Sequence, residues 1–219
     1  MMNSPNNIPR AIIFFGPDGS GKTTQANMLV SELNRKGIRN KKLWLRSLHT
    51  LAFLISKAGM HVMKLNDVYQ LRKKYSHHTS FRIIWYIIEF VSILPLILTR
   101  FYFPLLQGNV IVAERFVIDW VVSVAYATNN PSLVDSWLAN FVIYFIPKQS
   151  ALVYIDAEYD SILSRRGAED SFESIEFQRI CYSRFAQKLH ALSIDSSNKS
   201  IYEVFGLIKD FVFYDNKHS

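Results

Sequence analysis

Between Gly16 and Thr24 the chain reads Gly-Pro-Asp-Gly-Ser-Gly-Lys-Thr-Thr, a dense run of glycine, hydroxyl and cationic residues. Gly16, Gly21, Lys22 and Thr23 fit the spacing G-x-x-x-x-G-K-[ST]. A backbone that wraps a polyphosphate must turn several N–H groups inward, and side chains at Gly16, Gly19 and Gly21 would obstruct that turn. Pro17, Asp18 and Ser20 complete the loop. Lys22 brings a mobile cation to the β and γ oxygens, and the hydroxyl of Thr23 is suited to Mg²⁺. Thr24 follows in the first turn of the next helix, whose N–H groups and positive dipole end also favour an anion. The chemistry implied is the binding of ATP with Mg²⁺.

Two further groups could act on such a ligand. An apolar strand, Val110 to Ala113, ends in Glu114-Arg115, and an acid in that position is a second magnesium-directed carboxylate. Arg46 stands at the carboxyl end of a short strand, Lys42 to Leu45, where ligand groups cluster in open α/β sheets.

The elements that must position these residues follow from hydrophobic patterning. Ala11 to Phe15 is apolar throughout, as expected of a strand buried on both faces of a parallel sheet. A helix from Lys22 to Lys36 carries Ala26, Leu29, Val30 and Leu33 on one face and stops at Gly37. Further strands are expected at Ala151 to Ile155 and Ala191 to Ile194, with helices near Glu158 to Ser164, Ser174 to His190 and Lys199 to Val212. Asn130-Pro131 reads as an N-cap and first turn of another helix that ends by Pro147. The predicted fold class is α/β: a three-layer P-loop fold whose five-stranded parallel sheet is flanked by helices, in one domain spanning 1–219.

The middle of the chain is different. Leu51 to Met63 and Phe81 to Leu98 are helix-like and apolar. Ile83 to Leu98 is shorter than the roughly 20 residues that span a bilayer and carries Glu89, so the expectation is a buried helix kinked at Pro95, with surface attachment to a membrane left open.

A net charge of +7 suits several bound phosphates, nucleic acid or an anionic surface. The basic residues are scattered and no nucleic-acid motif appears, so small phosphate ligands are preferred to nucleic acid. The lone cysteine, Cys181, cannot form an intramolecular disulfide; packing is its expected role, and a reducing, cytoplasmic setting is expected. His49, His77 and His78 have no metal-ligand spacing.

Taken with their order, these motifs resemble the thymidylate kinase family of P-loop nucleoside monophosphate kinases. The resemblance rests on Phe15 to Gln25, Glu114-Arg115-Phe116, Ser123 to Tyr126, the segment from Arg165 to Glu173, and Ile194-Asp195-Ser196. It implies that Asp18 accepts a hydrogen bond from the acceptor sugar, that Arg115 touches the transferring or acceptor phosphate, and that residues 165–173 form a lid supplying Arg165 and Arg166 to the transition state. It further implies ATP and Mg²⁺ as cofactors, dTMP as acceptor and a homodimer built on apolar helices.

Departures from the family pattern bear on the acceptor. Glu114 stands where the family has Asp, and Arg46 is followed by Ser47-Leu48-His49 in place of Glu-Pro-Gly-Gly. Residues 47–108 match poorly, so Phe81, Arg82 and Trp85 are only candidates for the base-reading Phe and Arg, and Asp119 either approaches the sugar or is a solvated helix-end acid. Two other readings stay open: phosphoryl transfer to a different acceptor, another nucleotide or a lipid-linked one, and a non-catalytic ATP-binding module associated with a membrane or with regulation.

Overall fold

The computed structural model describes residues 8–45, 79–166 and 171–214. Within them lie strands β1 (Ala11–Phe15), β2 (Asn40–Trp44), β3 (Val110–Glu114), β4 (Ser150–Asp156) and β5 (Leu192–Asp195). All pairings are parallel, in the order β2-β3-β1-β4-β5. β1 sits at the centre with every side chain buried, which explains why its sequence lacks polar alternation.

The helices are α1 (Lys22–Arg35), α2 (Thr79–Leu96), α3 (Phe103–Leu106), α4 (Val117–Ala127), α5 (Trp137–Ile143), α6 (Tyr159–Arg166), α7 (Phe172–Lys188) and α8 (Ile201–Phe213). They make two layers. On one face Ile12 and Phe14 pack with Ala26, Leu29 and Leu33 of α1 and Val204, Ile208 and Val212 of α8. On the other, Ile13 and Phe15 meet α2, α4, α5 and α7 through residues such as Ile93, Val121, Val142 and Phe185. The alternation of a strand thus divides its side chains between two cores. Cys181 is fully buried in the second of them, in the packing role expected of it.

Three expectations are corrected. Asn130 caps no α-helix: Pro131–Asp135 is a 3₁₀ turn, and α5 begins at Trp137, capped by Ser136, whose Oγ accepts from the Ala139 N–H at 3.2 Å. α5 also ends at Ile143, before Pro147 is reached. The helix expected near Glu158 to Ser164 runs on to Arg166, so Arg165 and Arg166 close α6, and α7 starts at Phe172 rather than Ser174, where Ser171 accepts from the Ser174 N–H. Part of the expected lid, 167–170, is outside the described residues, as are Leu51 to Met63, His49, His77 and His78.

The third correction concerns the apolar stretch. It is neither short nor wholly buried: Tyr86–Leu106 is continuously helical over 21 residues with mean hydropathy 1.6, and only 28% of it is buried. Pro95 leaves no break. The helix passes into a π-type turn, Ile97–Tyr102, and the Thr99 hydroxyl donates to the Pro95 carbonyl at 2.7 Å.

Candidate active site

The loop after β1 holds the conformation its glycines predict. Gly16, Gly19 and Gly21 have φ of +143°, +87° and +98°. At Gly16 a Cβ would stand 2.1 Å from the carbonyl oxygen of Ile155, so the loop is pressed against β4 and only glycine fits. Lys22, the first residue of α1, is 5% exposed. Its ammonium donates to the Pro17 carbonyl at 2.6 Å and lies 3.8 Å from Asp18. Burial lowers its pKa to about 8, against the opposing pull of Asp18 and with a further lowering from Arg115. A buried cation beneath a ring of backbone N–H groups is suited to an anion that restores what burial removes.

The carboxyl edge of the sheet supplies the remaining groups. Thr23, in the first turn of α1, donates its hydroxyl to Glu114 at the end of β3. The other oxygen of Glu114 takes an ion pair from Lys42 of β2 at 2.8 Å, while Lys42 also donates to Asn27 at 2.6 Å. Arg115 follows with φ of +74°, a left-handed conformation that is costly for a non-glycine residue. The turn directs its guanidinium onto Asp18, with which it forms an ion pair across the mouth of the loop.

Asp119, expected either to approach a sugar or to be solvated, is 2% exposed. It accepts from the Phe116 N–H at 3.1 Å and from the Tyr182 hydroxyl at 2.9 Å, and burial pushes its carboxyl upward. It therefore braces the Glu114–Arg115 turn from below.

Arg165 completes the rim. It donates to the Ser196 carbonyl at 2.7 Å and the Ser196 hydroxyl at 3.1 Å, with a long contact to Gly19. Ser196 in turn donates to the Ser20 carbonyl at 3.0 Å. These contacts tie the end of α6, the segment after β5 and the glycine loop together. They enclose a cleft of about 930 Å³, whose lining also includes Thr24, Trp44, Lys199 and Ile201.

Of the residues singled out from sequence, the cleft thus gathers Asp18, Gly19, Ser20, Gly21, Lys22, Thr23, Thr24, Glu114, Arg115 and Arg165. Arg46 is outside the described residues, and the side chains of Phe81, Arg82, Trp85 and Arg166 are outside them too. Lys42, Trp44 and Ser196 were missed. For Lys42 a signal existed: in a parallel strand beside β3, residues 42 and 44 share a face, and Trp44 is in register with Glu114.

The fit to Mg²⁺ rests on the donor set. A hydroxyl and a carboxylate are hard oxygen ligands, and Mg²⁺ is ordinarily held by one or two protein oxygens with phosphate and water completing six. No cluster of three or more acidic, His or Cys ligands occurs among the described residues, and such a cage is not required. Thr23 and Glu114 fit, with Lys42 as a competitor for the carboxylate.

Sheet order, glycine loop and the lysine opening α1 together define a P-loop α/β fold of the kind found in nucleotide kinases. Among solved structures, the thymidylate kinase from Candida albicans superposes on this chain with a TM-score of 0.62, covering 97% of this chain and 94% of that one. The sequences are 15% identical, and the likeness establishes the fold. No protein-family model and no curated protein matches the chain.

Proposed function

We propose that the protein is an ATP-dependent phosphotransferase acting on a nucleoside monophosphate, with dTMP the first acceptor to test. The observation that carries this reading is the buried Lys22 ammonium under a glycine-lined loop, opening onto a cleft with room for more than one phosphorylated ligand. The fold likeness to a thymidylate kinase supports it, as does the ordering of Asp18 and Arg115 at the cleft.

In this reaction Lys22 and the loop N–H groups hold the β- and γ-phosphates, and Thr23 with Glu114 holds Mg²⁺. The metal, when bound, neutralises charge on the transferring group. Arg115 exchanges its contact with Asp18 for a phosphate, leaving Asp18 to accept from the acceptor sugar. Arg165, already beside Gly19, and Arg166 supply cations to the transition state. The acceptor phosphate attacks in line, so no protein nucleophile is needed and the protein contributes orientation and charge. We further propose one catalytic domain that works as a homodimer.

A coupled assay of ADP release across dTMP, dUMP, other monophosphates and non-nucleotide phosphates tests the proposal. Acceptor-dependent ADP formation with dTMP preferred is the expected result. ADP release with none of these acceptors would remove the reading. A second reading, transfer to a different acceptor, is favoured by Glu114 standing paired with Lys42 and by the missing Glu-Pro-Gly-Gly sequence. The Candida albicans enzyme is itself described as broad in substrate specificity, and the acceptor panel is kept wide for that reason.

A further inference from the structure

Helix α2 and its continuation turn an apolar face outward. Ile83, Ile87, Val91, Leu98, Phe103 and Leu106 are each between 50% and 78% exposed. At 1.5 Å per residue this stripe runs roughly 35 Å. Beside it lies α5, joined through contacts of the Phe90 ring with Phe141 at 5.5 Å and Phe145 at 5.7 Å. α5 and its C-cap expose Trp137, Phe141 and Tyr144 at the i, i+4, i+7 spacing of one helix face.

Asp135, the exposed acid just before α5, is paired with Arg184 at 3.2 Å, and the exposed charges within the two helical stretches themselves are cationic. From Thr79 to Ala113 the sequence holds a single acid, Glu89, and it is buried; from Ser136 to Gln149 it holds none. Among the described side chains of these stretches, the exposed charged ones are Arg100, between Leu98 and Phe103, and Lys148, beyond α5. Protein partners ordinarily meet an apolar centre with a polar rim. Apolar residues along one helix, aromatic rings beside them and isolated cations among them are instead the pattern of a bilayer interface.

We propose that this surface docks the protein onto an anionic lipid bilayer, with α2 lying in the plane of the interface. Crossing the bilayer is excluded by what holds the opposite side of the helix. The Tyr86 hydroxyl is 3.2 Å from both Thr128 and Asn130, the Tyr102 hydroxyl donates to the Phe145 carbonyl at 2.9 Å, and Ile93, Ile97 and Phe101 are buried in the sheet's core. The helix can immerse its outer face by about 5–10 Å, and none of the residues lining the cleft belongs to α2 or α5.

Co-sedimentation of the full chain with vesicles tests this, using phosphatidylcholine alone and with about 30% phosphatidylserine, at roughly 0.1 and 0.5 M salt. The expected result is uptake by the anionic vesicles, weakened by salt. The double variant Ile87→Lys/Val91→Lys should lower the partition coefficient by at least about tenfold, and Arg100→Glu/Lys148→Glu by severalfold. All four positions are exposed, so circular dichroism and the thermal midpoint should be unchanged. Absence of uptake, equal uptake by neutral vesicles, or uptake indifferent to Ile87→Lys/Val91→Lys would each overturn the proposal. A solution dimer broken by that variant, with no vesicle binding, would give the face to a second copy of the chain instead.

Discussion

The carboxyl edge of the sheet and the outer face of α2 are built on opposite principles. At the edge, polar groups buried or half-buried within a few ångströms of each other are paired: Lys22 with Pro17, Asp18 with Arg115, Glu114 with Thr23 and Lys42, Arg165 with Ser196. Along α2 the side chains that face outward are aliphatic and touch little, while the polar hydroxyls of Tyr86 and Tyr102 are turned inward. Pairing of this kind is tolerated only if each member is satisfied, which fixes geometry tightly. An exposed apolar stripe fixes no geometry of its own; it states what it avoids, which is water.

If that contrast is right, disturbing the edge should be far more damaging than disturbing the stripe. Lys22→Ala removes the cation proposed to lie beneath the phosphates, and acceptor-dependent ADP release should fall by about 10²–10³-fold with the fold intact by circular dichroism. Near-normal turnover in this variant would sink the mechanism. Gly16→Ala comes next: its Cβ would stand 2.1 Å from the Ile155 carbonyl, at a φ of +143°. The backbone strain alone is worth about 1–3 kcal/mol, and denaturant unfolding should show that loss together with weakened nucleotide binding. Gly206→Ala in α8 is the control, because nothing lies within 4 Å of its Cβ position; it should stabilise by about 0.5–1 kcal/mol.

The same contrast explains what could be read in the sequence. β1, the loop and α1 were legible nearly to the residue, because glycine conformation, a helix start and a doubly buried strand are all local requirements. The brace of Asp119 on Tyr182 was not, since its partner is 63 positions away and no periodicity links them. Arg165 on Ser196 is another such pair. The start of α5 was misplaced because Asn130-Pro131 satisfies the local rules for a helix start, while Ser136 satisfies them better once Pro131 has closed a 3₁₀ turn. The exposure of α2 was missed for a further reason: apolar content reports that a helix shuns water, and which of its sides the core covers is decided by distant residues such as Phe116 and Phe145.

Cys181 tests whether the second core is as dry as its residues suggest. Burial raises its thiol to about 11 from an ordinary value of 9.0. The folded state therefore keeps its proton in a window where the unfolded chain has lost it. The sign follows: stability is unaffected by this group below about pH 9 and falls as pH rises from 9 to 11, by at most about 2–3 kcal/mol. Unfolding midpoints of the native chain and Cys181→Ala across that range should converge as pH rises. Parallel curves would mean that water reaches the thiol.

The smallest effect probes Lys42, which links β2 to the proposed magnesium side of the cleft. Lys42 occupies one oxygen of Glu114 at 2.8 Å, and the pair is partly exposed, with side-chain exposures of 30% and 8%. An ion pair of that kind is worth about 0.5–1 kcal/mol, which corresponds to two- to fivefold in an equilibrium. Lys42→Met keeps the aliphatic stem and removes the charge, so Glu114 becomes more available to a hard cation. The Mg²⁺ concentration needed for half-maximal nucleotide binding, followed by calorimetry, should drop by about that two- to fivefold factor. A rise instead of a drop would mean that Lys42 contacts the phosphates directly, and the edge would then contain one more catalytic cation than its present pairing displays.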